Sequence, residues 1–458
     1  MPHCALARTA SAPSPARCPD MAPSLGAESR APSSASPSTP DAGTSRQRTA
    51  LLIGLALAVL LGAVLRFTWN EDMEFKGDES WLFQRAMNVG RTEPWPDLGQ
   101  VSGVGLRNPG LSVWLFAGID RLFDASTPLQ LDRGVVTLNV LAMGLLAVFI
   151  WRNVAEDQRE AWCWAALIAA VNPIVLLLDR KIWTLSAFPI FCVAFIWTWW
   201  RRDKWWGAAL WGLIGALLGQ IHMSGFFFAF SFFLCSAVVR GPERKKTRWP
   251  YWLVGSVLGA ITLKPWVLYV LSGQDHGPPW SWEVVTNLRF WRLTFSDMLG
   301  TGLDYSLGRS YFDFLRYPIS FQEFYPAIYL QGISLTCGLA IIGFAVVSLW
   351  KRRAEWKTAW RWPWRASESS LAAFAAIFIF GTLLTVGGVY VHRHYLHITF
   401  PFEGLLLALL ALNYAPKPRL WLAAIVIAQL GLSVTFLDYI HTNGGAPGGD
   451  YGRAYRGN

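Results

Sequence analysis

The chain has 458 residues, of which 53% are hydrophobic and 15% charged, with 26 Trp and 28 Phe. A water-soluble protein cannot hide that much apolar surface beneath so thin a charged exterior, so composition excludes an ordinary soluble enzyme and points to a lipid bilayer. The formal charge of +10 sits mostly in short connections between apolar runs, which suits anionic lipid and leaves no nucleic-acid site.

Residues 1–48 are rich in Ser, Pro and Ala and poor in large apolar side chains, so they read as a disordered cytoplasmic tail, with either Met1 or Met21 as its start. Residues 49–438 read as one membrane-embedded, all-α domain, a polytopic bundle of about eleven spans: 49–67, 134–151, 161–178, 184–200, 205–221, 223–239, 251–271, 326–350, 370–391, 395–414 and 419–438. Each is near the length that crosses a hydrocarbon core. Every second connection is basic: Arg152 and Arg159; Arg201, Arg202 and Lys204; Arg240, Arg244, Lys245, Lys246 and Arg248; Lys351, Arg352, Arg353, Lys357, Arg361 and Arg365; Lys417 and Arg419. That alternation places the N-terminus inside and the C-terminus outside a plasma (inner) membrane. The loops 68–133 and 272–325 then face outward, followed by a glycine-rich, flexible external tail at 439–458. Cys4 and Cys18 lie in the tail and Cys163, Cys192, Cys235 and Cys337 in apolar runs, with no metal-like spacing.

Chemistry concentrates in the outer loops. The segment Lys76-Gly77-Asp78-Glu79-Ser80 follows the first span by about ten residues, at the head of what would be the catalytic loop. Adjacent carboxylates at a membrane surface suit a general base that deprotonates a hydroxyl, and equally suit two solvated loop acids. A helix is expected from Ser80 to Val89. Arg107-Asn108-Pro109-Gly110 then opens an apolar run, Leu111–Phe123, which is too short to span and is expected along the interface, so that a headgroup fits between the two short helices. Further polar groups recur at outer span ends: Asp179-Arg180-Lys181, His222, Lys264, His392-Arg393-His394, and Glu403 deeper in the tenth span. Charges at membrane depth usually face a water-filled cavity or a ligand, although snorkelling to the headgroups accounts for any one of them. Arg107, Arg180, Lys181, Lys264 and Arg393 together have the chemistry of a phosphate clamp, with Asn108, His222, His392, His394 and Glu403 as further pocket candidates. In the second loop Trp280, Trp282, Trp291, Tyr305, Tyr311 and Tyr317 are candidates for stacking on a sugar or for anchoring at the interface.

In this order of elements the chain resembles the GT-C class of polytopic glycosyltransferases, in the protein O-mannosyltransferase-like branch that includes aminoarabinose transferases. The resemblance rests on Gly77-Asp78-Glu79 after the first span, on Arg107-Asn108-Pro109-Gly110 before the amphipathic run, and on Asp132-Arg133-Gly134 at the next span. Asn172-Pro173 and Arg393-His394-Tyr395 with Pro401 fit it as well. It implies transfer of a sugar from a polyprenyl-phosphate carrier to a glycan, lipid or protein acceptor on the outer face, with inversion. Asp78 would be the base or part of a divalent-metal site, with Glu79 orienting it or sharing its proton. A lipid phosphate leaves without protonation, so a base and a cationic clamp suffice. The sequence departs from relatives around Arg107-Asn108, where the metal-binding carboxylate of some members is absent. The competing function, a lipid or lipid-linked sugar transporter or flippase, calls for repeated halves and helices broken at the midplane, and no repeat is evident.

Overall fold

The computed structural model of the protein describes residues 42–239, 246–277, 279–318, 324–353 and 367–456. The tail through residue 41, with Cys4, Cys18 and Met21, lies outside the described residues, as do Arg240, Arg244, Lys245, Lys357, Arg361 and Arg365. The chain divides into two compact units, Met1–Arg46 and Gln47–Asn458. Of the first, the described part is the helical beginning of α1 (Ala42–Phe67).

The described residues are mostly helical. Among them, six helices are long and apolar enough to cross a membrane: Ser45–Phe67, Pro128–Asn153, Trp249–Ser272, Pro326–Lys351, Glu368–Val386 and Pro418–Asn443. Two bent pairs, Glu156–Val171 with Pro173–Asp179 and Arg393–Thr399 with Phe402–Tyr414, raise the number to eight. The other three expected spans are apolar helices too, Thr184–Trp200, Trp205–Ile221 and Ser224–Val238. At 1.5 Å per residue the longest of them, 17 residues, reaches only about 25 Å, short of a hydrocarbon core of about 30 Å. The expectation of about eleven spans is therefore narrowed to six to eight by length, because apolar runs also make short interior helices.

The bends have local causes. Asn172 ends α5 (Arg159–Val171) and caps α6 (Pro173–Asp179), its Oδ1 accepting from the N–H groups of Ile174 (2.9 Å) and Val175 (3.1 Å). Pro173 cannot donate to the helix behind it, so the chain turns by 62°. The Asn172 amide then donates to the Asp297 carbonyl (2.7 Å) and to Gln429 Oε1 (3.1 Å), tying the second loop to the bundle. In the bundle core Phe149 packs edge to face on Trp162 and Trp200, Trp162 on Phe402, and Phe195 and Trp199 on Phe232. That core accounts for much of the aromatic content.

The first loop is a folded layer. α2 (Gly77–Asn88) leads to an antiparallel pair, β1 (Leu98–Val101) with β2 (Arg107–Pro109), and then to α3 (Leu111–Phe123). Leu82 and Ala86 of α2 and Val113, Phe116 and Ala117 of α3 share one buried cluster with Leu131 and Val135 of α4 (Pro128–Asn153). The expected headgroup space between the two short helices is filled by these side chains. The segment expected to be a flexible tail is likewise built in. Beyond Asn443 the chain forms a hairpin, β3 (Gly445–Ala446) with β4 (Gly452–Arg453), and Tyr451 is buried. These two small sheets are additions to an otherwise all-α architecture.

The helix ends gather at two faces. One face joins Asn153, Trp200, Arg202, Glu368 and Arg419 through short turns. The other carries both long loops, the 179–183 break and the C-terminal hairpin.

Candidate functional site

The loop face holds a buried acid–base cluster. Glu79, in the first turn of α2, accepts from the Lys76 backbone N–H with Oε2 (3.2 Å) and meets Lys181 Nζ with Oε1 (3.2 Å). Glu74 bridges Lys181 (2.9 Å) and Lys76 (2.9 Å), and Lys76 continues to Asp450 (2.7 Å). Lys181 also lies 4.2 Å over the Trp183 ring. Burial raises the Glu74 carboxyl against the pull of Lys181. For Lys181, burial works against the charge but Glu74 and Glu79 outweigh it, so the ammonium is held above the ordinary lysine range. Asp78, one residue before Glu79, is exposed and forms no ion pair among the described residues. The adjacent acids thus separate: Glu79 is committed to the cluster, and Asp78 faces outward on the same turn.

The other expected cations scatter. Arg180 caps the end of α1 by donating to the carbonyls of Thr68 (2.9 Å) and Trp69 (2.6 Å). Its neighbour Asp179 is held by Arg66 (2.6 Å) and His397 (3.0 Å). Arg107 is exposed, 3.9 Å from Asp275, and Lys264 is exposed at the start of the helix Lys264–Ser272. Asn108 donates to the Gln100 carbonyl (3.2 Å) inside the β1–β2 pair. The five cations do not form one clamp.

A different clamp is present in the second loop. A cleft of about 580 Å³ is lined by Arg289, Arg292, Ser296, Asp304, Tyr305 and Arg393, together with Leu293, Thr301 and Tyr311. Arg289, Arg292, Leu293 and Ser296 follow the i, i+3, i+4, i+7 spacing of a single face of the helix Arg289–Met298. Arg393 is ion-paired to Asp297, donates to Ser296 Oγ (2.9 Å), and stands 3.7 Å from Asp304. Arg289 donates to the Val391 carbonyl and the Tyr390 hydroxyl (2.6 Å each), and Arg292 to Asn287 Oδ1 (2.5 Å). Neither has a carboxylate partner among the described residues. Two of the six loop aromatics, Tyr305 and Tyr311, line the cleft, whereas Trp280 and Trp282 are exposed and pack on each other, Trp291 packs on Phe290, and Tyr317 donates to Asp438 (2.8 Å).

Tyr305 links cleft and cluster. Its hydroxyl is 3.2 Å from His394 Nδ1, and the His394 ring lies 4.3 Å from Trp183, the ring beneath Lys181. Burial pushes Tyr305 up to about 12, with Lys181 pulling it back, so it stays a neutral phenol. His392 and His222 pack on His394, with ring centroids 5.4 and 6.3 Å from it, and do not line the cleft. Burial, then Arg289, lowers His392, and burial, then His392, lowers His222 to about 3. Their imidazoles are neutral and add no charge to the clamp. His222 Nδ1 meets Ser224 Oγ (2.9 Å) and borders an apolar pocket of about 220 Å³ with Phe227, Leu384 and Tyr395. Glu403 is bonded to Thr399 (2.7 Å) and lines a small cavity of about 30 Å³ with His397 and Asn172, apart from the cleft.

A divalent ion at Asp78 finds no supporting donor set. Glu74 and Glu79 direct their oxygens to lysines, and among the described residues no group of three or more His, Cys, Asp or Glu is placed to hold a metal. No family model, curated protein or solved structure matches the chain.

Arg289, Arg292, Glu74 and Asp450 were not among the residues the sequence pointed to. The spacing of Arg289 and Arg292 was a readable signal, because residues three apart share a helix face.

Proposed function

We propose that this membrane-embedded protein transfers a sugar from a polyprenyl-phosphate carrier to a hydroxyl acceptor, with the loop face on the outer side of the membrane. The observation that supports it is the link between the cleft of Arg289, Arg292 and Arg393 and the turn carrying Asp78 and Glu79, which runs through Tyr305, His394, Trp183 and Lys181. In this reading the acceptor O–H gives its proton to Asp78, the acceptor oxygen bonds to the anomeric carbon, and the carrier phosphate leaves with the bond's electron pair. Guanidinium groups stabilise that charge without protonating it. Glu79 is buried and committed to Lys181, so it is assigned to fixing the turn, and the exposed Asp78 to the proton. The cleft volume has room for a phosphate with an attached sugar.

The test is sugar transfer in membranes or vesicles supplied with a polyprenyl-phosphate-linked donor. Asp78→Asn should lower the rate on the order of 10²–10⁴-fold with protein level and donor binding retained. An Asp78→Asn protein that transfers sugar normally removes the assignment. Loss of transbilayer lipid movement, with transfer never observed, would point to a flippase instead.

A further inference from the structure

The C-terminal hairpin joins the two functional loops. Toward the first loop, Tyr455 N donates to the Met73 carbonyl (3.1 Å) and Arg456 N to the Glu71 carbonyl (2.9 Å), and Ala454 bridges to Glu74. The buried Tyr451 hydroxyl donates to the Asp72 carbonyl, and the Asp72 carboxylate is held by Arg456 (3.1 Å) and His441 (2.5 Å). Toward the second loop, Tyr451 N donates to the Ser306 carbonyl (2.8 Å), Arg309 N to the Gly448 carbonyl (2.9 Å), and Gly448 N to Ser310 Oγ (3.0 Å). Residues 71–76 and 306–310 are therefore held by one short segment. Each lies a few residues from the site: Asp78 follows the first, and Tyr305 precedes the second.

The glycines of this segment are the signature of the docking. Gly445 has φ +114°, and a Cβ there would stand 2.4 Å from the Gly452 carbonyl oxygen. A Cβ on Gly449 would stand 2.2 Å from the Leu307 backbone. Side chains are excluded where the segment lies closest to its neighbours, so the composition that resembles a flexible linker is also that of a tightly seated strap.

We infer that residues 444–456 are a strap that positions the Asp78-Glu79 turn against the arginine cleft, with Lys76–Asp450 as its latch. This rests on the proposed sugar transfer for its functional meaning, and on the contacts alone for its existence. Asp450 and Tyr451 are positioning residues: they touch the backbone and side chains that carry the site. A displaced strap leaves the arginines in place and lets the base drift. The rate should then fall while donor affinity holds.

Two variants test this: Gly449→Ala, which forces the strap off Leu307, and Asp450→Asn, which removes the ion pair to Lys76 and leaves the Lys76 bond to the Asp450 carbonyl. Both are measured by amide hydrogen exchange over residues 70–80 and by transfer kinetics with a polyprenyl-phosphate-linked sugar. The expected result is faster exchange in that window and a fall in kcat at unchanged donor KM, roughly tenfold to a hundredfold for Gly449→Ala and about fivefold or less for Asp450→Asn. Unchanged exchange in both variants overturns the strap. A rise in donor KM at constant kcat overturns its positioning role. If the unaltered protein transfers no sugar from any carrier, the proposed function falls, and the exchange comparison alone decides the strap.

Discussion

The two faces of the bundle differ in how they use charge. On the short-turn face, Arg202 with Glu368 is largely buried, but two ion pairs stay near the surface: Arg419 (70% exposed) with Glu160 (20%), and Arg48 (59%) with Glu156 (62%). On the loop face, Lys181 (3%), Glu74 (2%) and Glu79 (1%) are taken out of solvent altogether. Surface pairs form and break at little cost, since water solvates either state. A buried set carries a desolvation penalty that its attractions must offset, so it contributes little as glue and holds fixed geometry. What the loop face gains is a lysine that cannot leave two carboxylates, and hence an immobile turn beneath Asp78.

Breaking that set should give the largest effect in the molecule. Lys181→Met removes the shared cation and leaves Glu74 and Glu79 buried without it, at a cost of about 3–5 kcal/mol. Burial already raises Glu74 in the intact protein, and the loss of Lys181 raises it further. A carboxyl with a raised folded pKa binds its proton more tightly when folded. The variant should therefore be most stable below the ordinary glutamate pKa near 4.5 and lose stability as pH climbs through the raised value. Thermal unfolding in detergent as a function of pH measures this. A Lys181→Met protein as stable as the parent at pH 7 would mean that the cluster is wet and weak, like the other face.

Much of this organisation was legible in the chain. The run 111–123 folds as α3 over those residues, whereas the bend at Asn172-Pro173 falls inside the run 161–178 that reads as one straight span. The side of the bundle on which polar groups gather was legible too. The directions of individual side chains were not. Asp78 and Glu79 are neighbours in sequence, but successive helical residues point about 100° apart, which sends one outward and the other to Lys181. Arg180 and Lys264 have the right charge at the right depth, yet carbonyls just past the end of α1 claim the first and the start of the helix Lys264–Ser272 leaves the second exposed. The glycines after Asn443 carry no information about flexibility until the neighbouring backbone is in view. The shortness of the helices between Thr184 and Val238 was hidden because hydropathy reports burial in lipid and in protein alike.

The comparison sharpens within the loop face when cations committed to the fold are set against uncommitted ones. Arg292→Met removes an exposed guanidinium whose bond is to the Asn287 side chain, so folding should be nearly unaffected; Arg289→Met also loses its bonds to the Val391 carbonyl and the Tyr390 hydroxyl and should cost about 1 kcal/mol. Donor affinity should weaken by roughly tenfold to a hundredfold per substitution, the worth of one charge-assisted contact to phosphate. Arg180→Met should do the reverse: it uncaps two carbonyls at the end of α1 and lowers stability, with donor affinity in the surviving folded protein unchanged. Titration with a short-chain polyprenyl phosphate, alongside unfolding curves, separates the two. If Arg180→Met weakens binding while Arg289→Met does not, the clamp belongs to the first loop.

The smallest effect is expected at the opposite face, and it decides whether burial is the right axis of comparison. Arg419 meets Glu160 at 2.7 and 2.9 Å through two guanidinium nitrogens, a geometry as good as any in the buried cluster. If short distances set the energy, Arg419→Ala would rival Lys181→Met. If solvent exposure sets it, water replaces the lost partner and the cost is about 0.5 kcal/mol or less, shrinking further as salt is raised. Unfolding curves of Arg419→Ala at low and high ionic strength distinguish these outcomes. A large, salt-insensitive loss would show that this pair is shielded as deeply as the lysine cluster, and the contrast between the faces would have to be drawn from geometry instead.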